Sequence, residues 1–247
     1  MATSNNDRGF TLVELAIVMT IIGLLIGGVL KGQQLLQNAR ITKTITQYKS
    51  FVTARTSFRD VYNYYPGDFP QATTRITGCN SANFCLNGNG DNIIGPITNT
   101  HWRIPLNSAT YIENMQYWKH LALADLISGV VPSGNPADMR WGETNPASPL
   151  GGGYEFFYDR YMASGAGGTA GASGQILRLS SGIPGGRPEF ILNPADAYVL
   201  DRKMDNGDPN SGDIIANYGR DFDTCKTVDA YIMTESDPVC MIYYFIH

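Results

Sequence analysis

Two hydrophobic periods divide the chain. From Phe10 to Leu30 the sequence FTLVELAIVMTIIGLLIGGVL carries no charge except Glu14. That is about the 20 residues a helix needs to cross the apolar core of a bilayer. A secretory signal peptide would have a shorter apolar region, a basic front and a small-residue cleavage site behind it. Here the run continues into KGQQLLQNARITKTI, which reads as further helix, and no proline occurs before Pro66. A plain signal anchor remains the simplest alternative. From Gly32 to about Tyr64 the pattern turns amphipathic. Leu35, Ile41, Ile45, Tyr48, Val52, Arg55, Phe58 and Tyr62, with Phe51 beside them, recur mainly at intervals of three and four. This predicts one long helix with an apolar stripe on its second half, ended by Tyr65-Pro66-Gly67-Asp68.

Beyond that helix the patterns are shorter. Residues 66–108 and 129–153 read as loops. Thr110 to Ile127 predicts a helix, with Thr110 and Glu113 spaced as a capping box. His120 within it reads as structural, because no serine or cysteine nucleophile is evidently paired with it. Tyr154–Tyr158 and Gln175–Leu179 predict two antiparallel strands around a glycine-rich tip at 163–174. Asn193-Pro194-Ala195-Asp196 is a helix start, with Asn as cap and Pro at the first helical position, and the helix runs to Met204. Ala230–Thr234 and Val239–Ile246 predict two final strands. The expected fold class is α+β: a long N-terminal helix packed on an antiparallel sheet, with loop-rich insertions.

Charge narrows the functional classes. Only 16% of residues are charged and the formal net charge is -4. No nucleic-acid surface is evident, since that would need clustered Lys and Arg. No phosphate loop, dinucleotide loop, zinc signature or G-x-S-x-G appears, so no enzyme is expected. The four cysteines Cys79, Cys85, Cys225 and Cys240 all follow the membrane-length run. Four cysteines allow three connectivities, of which the sequence-local pairs 79–85 and 225–240 are the simplest; a zinc site is the alternative.

Gly9-Phe10-Thr11-Leu12-Val13-Glu14-Leu15, preceded by Arg8 and followed by the apolar run, resembles the processing motif of type IV prepilins and type II secretion pseudopilins. The resemblance covers roughly Arg8 to Gln37. It implies cleavage between Gly9 and Phe10 by a prepilin peptidase, N-methylation of Phe10, and an assembly role for Glu14 through a neighbour's new amino terminus. It also implies a pilin-like fold. The organisation it suggests is a leader at 1–9, a transmembrane segment at 10–30, the amphipathic half of the helix at 31–65, and a periplasmic or extracellular head at 66–247. The implied function is a structural subunit of a type IV pilus-like filament. The alternatives are a type II secretion pseudopilin and a membrane-anchored adhesion or binding module. The implied partners are other pilin or pseudopilin subunits, the peptidase and an inner-membrane assembly platform, with the chain a single-pass protein of the bacterial inner membrane. The C-terminal cysteine pair resembles the disulfide-bounded loop near the end of many type IV pilins.

No cofactor is expected, with calcium as the one candidate. Asn87, Asn89 and Asp91 alternate like the first half of an EF-hand loop, but Asn92 and Thr98 stand where the turn glycine and the closing glutamate belong. The competing reading is an Asn/Gly turn beside a disulfide. Asp201, Asp205, Asp208 and Asp213 form the second candidate. Here the resemblance adds that major-type pseudopilins hold calcium in a C-terminal loop; the competing reading is a helix ending in an Asn-Gly turn.

Overall fold

The computed structural model describes residues 11–95, 112–135, 138, 140–159, 174–182, 189–216, 224–227 and 229–246. The chain forms two compact units, residues 1–40 and 41–247. Helix α1, Leu12–Tyr62, contributes to both.

In the first unit α1 begins on a reciprocal cap. Thr11 Oγ1 accepts the Glu14 N–H at 3.2 Å, while Glu14 Oε2 accepts the Thr11 N–H at 2.9 Å and the Thr11 hydroxyl at 2.8 Å. Two of the helix's orphan N-terminal donors are thereby satisfied. The apolar side chains that follow are exposed among the described residues: Leu12 is 87% exposed and Leu24 73%. Length and composition make α1 the one helix, among the described residues, able to cross a membrane. Leu35 is also exposed, so the buried stripe predicted from Leu35 begins instead at Ile41. Leu35 continues the exposed apolar surface of the first unit.

In the second unit Ile41, Thr44, Ile45, Phe51, Ala54, Arg55 and Phe58 of α1 are buried. The helix stops where Asn63 turns left-handed at φ 62° and returns its N–H to the Arg59 carbonyl at 2.7 Å, a conformation asparagine tolerates better than most residues. The sheet comprises β1 (Gly153–Asp159), β2 (Gly174–Ser180), β3 (Ile214–Ala216) and β4 (Ile242–Ile246). Its order is β1-β2-β4-β3, with each neighbouring pair antiparallel. Tyr48 stacks on Tyr244 with ring centroids 4.4 Å apart, and Phe51 packs edge-on against Tyr154 and Trp118. Arg55 donates to Gln175 Oε1 through Nη2 at 2.6 Å. The fold is thus α+β and pilin-like, with the second part of α1 packed on a four-stranded antiparallel sheet. Fully burying each large apolar side chain here contributes roughly 1.5–3 kcal/mol.

The sheet is buried on both faces. On the second face Glu155 pairs across the strands with Arg178, whose Nε is 2.8 Å from Oε2 and whose guanidinium lies over Phe157. Phe157, Ile176, Met241, Tyr243 and Phe245 surround that pair as a second apolar cluster.

The shorter helices are α2 (Ala72–Arg75), α3 (Ile112–Leu123) and α4 (Pro194–Met204). Asn193 caps α4 as predicted, accepting the Asp196 N–H at 2.8 Å. The strand predicted at Ala230–Thr234 is not formed. Tyr231 makes a single bridge with Lys226, and its hydroxyl turns inward to Asp201, 2.8 Å away. The place beside β4 is taken by the three-residue β3, too short to leave a period in the sequence. Thr110 and the tip at 163–173 lie outside the described residues.

Candidate functional site

Of the residues the resemblance marks for processing and assembly, Glu14 lies in the first turn of α1. Gly9 and Phe10 lie outside the described residues. Glu14 is the only charged residue of the apolar run, and its carboxylate is folded back onto Thr11. Before any partner arrives, that carboxylate is therefore satisfied by its own chain, which lowers the cost of holding it in an apolar setting. An ammonium created at Phe10 would be one residue from Thr11. At each glycine of the Gly23/Gly27 and Gly28/Gly32 pairs an added Cβ would meet no atom within 4 Å among the described residues beyond the helix's own backbone. This face of the first unit is open to another helix, and small residues at that spacing allow close approach.

The first candidate calcium loop is built differently from its sequence reading. Asn87 turns away, accepting the N–H of Thr73 at 2.9 Å and its hydroxyl at 3.1 Å. Asn89 and Asp91 pair with each other. The loop's backbone amides converge on two carboxylates from elsewhere. Asp68 accepts the N–H groups of Gly90, Asp91 and Asn92 at 2.6, 3.1 and 2.8 Å. Glu113 accepts those of Asn89 and Gly95 at 2.9 and 3.0 Å. Glu113, expected to cap its own helix, thus fastens this loop to α3. Oxygens of Asp68, Asp91 and Glu113 lie within 4.8 Å of one another. Burial raises the pKa of both Asp68 and Glu113, and mutual repulsion among the three carboxylates adds to it. A calcium loop of the EF-hand kind turns oxygens toward its centre; this one turns N–H groups toward anions the chain supplies.

Beside it, α3 inserts two nitrogen groups. His120 Nδ1 accepts the Gly67 N–H at 2.9 Å, so Nε2 carries the proton and donates to the Leu86 carbonyl at 2.9 Å. Both bonds require the neutral ring, and burial pushes its pKa down to about 4. Lys119 Nζ donates to the carbonyls of Asn83, Pro132 and Gly134 at 2.6, 2.7 and 2.6 Å. Its three donors are matched by three acceptors, and burial lowers its pKa to about 8. Cys79 and Cys85 are joined in a disulfide, so their sulfurs, although close to His120, are not the thiolates a zinc site would require. Cys225 and Cys240 form the second disulfide.

In the second candidate loop the four aspartates disperse. Asp201 is buried, bonding Tyr231 through one oxygen and the Gly207 N–H through the other at 2.9 Å; burial raises its pKa to about 6. Asp205 accepts the N–H groups of Asp213 and Ile214 at 2.6 and 3.2 Å. Asp208 accepts from the Ser211 hydroxyl and the Asn210 N–H, and the Ser211 bond leads in lowering its pKa. No three of the four carboxylates bring oxygens within 4.8 Å of one another.

Residues 4–30 match the family model described as the prokaryotic N-terminal methylation motif. No curated protein and no solved structure matches the chain. A prepilin-type methylation motif thus stands on a membrane-length helix that continues into a pilin-like α+β unit. The match covers the N-terminal segment alone, and the head is known here by its fold. Sequence reasoning anticipated both cysteine pairs. It missed Asp68 and Lys226, single polar residues whose partners lie far along the chain.

Proposed function

We propose that this chain is a structural subunit of a type IV pilus-like filament, held in the bacterial inner membrane until a prepilin peptidase removes residues 1–9. The reading rests on one observation, the match of residues 4–30 to the methylation motif. Its physical support is the apolar first unit, whose side chains are exposed among the described residues and would be covered first by lipid and then by neighbouring subunits. Glu14 then exchanges its bond to Thr11 for the methylated ammonium of an adjacent Phe10, fixing axial register. The head lies in the periplasm or outside the cell and has no catalytic role; His120, the histidine of α3, has both ring nitrogens engaged in structure.

Mass spectrometry of protein made alongside a prepilin peptidase should find a mature chain beginning with N-methyl-phenylalanine at Phe10. An intact Met1, or cleavage after residue 30, would overturn the reading. Glu14→Val should leave the chain membrane-bound and processed yet outside filaments, and normal filament incorporation would refute the pairing. Pilus and secretion pseudopilus are separated by deletion: loss of surface fibres supports the first, and loss of protein export with fibres intact supports the second.

A further inference from the structure

The C-terminal loop of the head is where the family resemblance places calcium, and the residues there do not fit a metal. A hard divalent cation takes six to eight oxygen ligands turned to a common centre. In this loop Asp201 faces the core and Asp205 closes onto the amides of its own turn. Asp208 is bonded to Ser211 and Asn210. What does reach the turn is a cation of the chain itself. Lys226, 1% exposed, donates from Nζ to the Pro209 carbonyl at 3.0 Å and to Asn210 Oδ1 at 2.8 Å. The Asp208 charge is near enough to be felt by the ammonium.

The fold delivers Lys226 to that point from two sides. Its neighbour Cys225 is tied to Cys240. Its backbone bridges Tyr231, whose hydroxyl reaches Asp201. On the other side Asn210 Nδ2 donates back to the Thr227 carbonyl at 3.3 Å, and the Pro209 carbonyl also accepts the N–H of Ala216, the last residue of β3, at 3.1 Å. The ammonium therefore sits on the turn at the carbonyl that also holds the end of β3. A buried ammonium demands oxygen partners as a metal does, and it gathers a backbone carbonyl and an amide oxygen.

We propose that the Lys226 ammonium closes the 205–213 turn in place of a divalent cation, so that this loop keeps its form without calcium.

Hydrogen exchange on the full-length protein in detergent tests this, read at the amides of Asn210, Asp213 and Ile214. In the wild type these amides should exchange at the same rate in EGTA and in excess calcium chloride. Faster exchange in EGTA would overturn the proposal, and that arm needs no variant. Lys226→Met should speed their exchange by about tenfold or more in either solution, the scale of a lost hydrogen-bonded charge, with Lys226→Arg closer to wild type. Exchange in Lys226→Met equal to wild type would also overturn it. Because the readout is local to this turn, metal bound anywhere else in the chain does not enter it.

Discussion

The head closes two loops of similar composition with opposite charges. Loop 88–95 wraps its N–H groups around anions, the carboxylates of Asp68 and Glu113. Loop 205–213 presents oxygens to a cation, the ammonium of Lys226. Both are Asn-, Gly- and Asp-rich, and both have a disulfide close by in the chain or in space. The second loop also turns amides onto carboxylates, those of Asp201 and Asp205; what sets it apart is that one of its carbonyls faces a cation. A turn rich in left-handed residues, such as Gly90 and Asn92 at φ 82° and 65°, aims successive amides to one side and makes an anion nest. The Pro209 carbonyl, next to a residue with no such turn, offers an acceptor instead. Composition alone suggested one ligand for both, and backbone direction assigned them opposite ones.

The largest expected contrast lies in the glycines under each loop. Gly67 stands at φ 88°, and a Cβ added there would meet the Glu113 carbonyl oxygen at 2.3 Å; Gly212 stands at φ 86°, and its Cβ would meet Asp205 Oδ2 at 1.9 Å. The first obstacle is helix backbone and cannot give way, while the second is a side chain that can swing out. Gly67→Ala should destabilise the head by roughly 4 kcal/mol and Gly212→Ala by about 2 kcal/mol, measured by denaturant unfolding in detergent. Equal losses would break the contrast.

Acid sharpens it next. His120, under the first loop, is neutral when folded with a pKa of about 4 against an ordinary 6.5. The unfolded chain takes up the proton first, so stability falls as pH drops from about 6.5 to 4, by on the order of 3 kcal/mol. Asp201, under the second, has its pKa raised to about 6 from 3.8. The unfolded chain ionises first there, so this contribution is present at low pH and lost as pH rises through about 4 to 6. The difference between wild type and His120→Gln should therefore grow with pH over that window, and the difference between wild type and Asp201→Asn should shrink. Parallel curves would remove both assignments.

The smallest contrast is between the disulfides. Cys225–Cys240 closes a separation of 15 residues and Cys79–Cys85 one of 6. Loop-closure entropy gives about 3 kcal/mol for the first and about 2 kcal/mol for the second. Replacing each pair by alanine and comparing melting temperatures should return that order, and the reverse order would show that Cys79–Cys85 supports the Asp68 and Glu113 contacts beyond its entropy.

How much was legible varies by the range of the interaction. The cap at Asn193, the strands at 153–159 and 174–180 and the end of α1 near Tyr64 were readable because each is fixed within a few residues. Leu35 misled because the spacing of an apolar stripe does not reveal what covers it; a side chain facing lipid and one facing a core follow the same period. The bonds of Glu113 to Asn89 and Gly95 were not legible, because those partners lie 24 and 18 positions away. The strand at 230–234 failed because Tyr231 is held by Asp201, thirty positions away.

By itself the sequence determined the N-terminal processing motif, the membrane-length helix, the class of fold and the sulfur pairs, since each depends on neighbours along the chain or on a continuous run of one polarity. Only the tertiary structure decided where the head begins to cover α1, which face of each polar loop turns inward, and that Asp68, Glu113 and Lys226 are the charges those loops are built around. Such choices depend on backbone direction and on burial, and neither is carried by residue identity until distant segments meet.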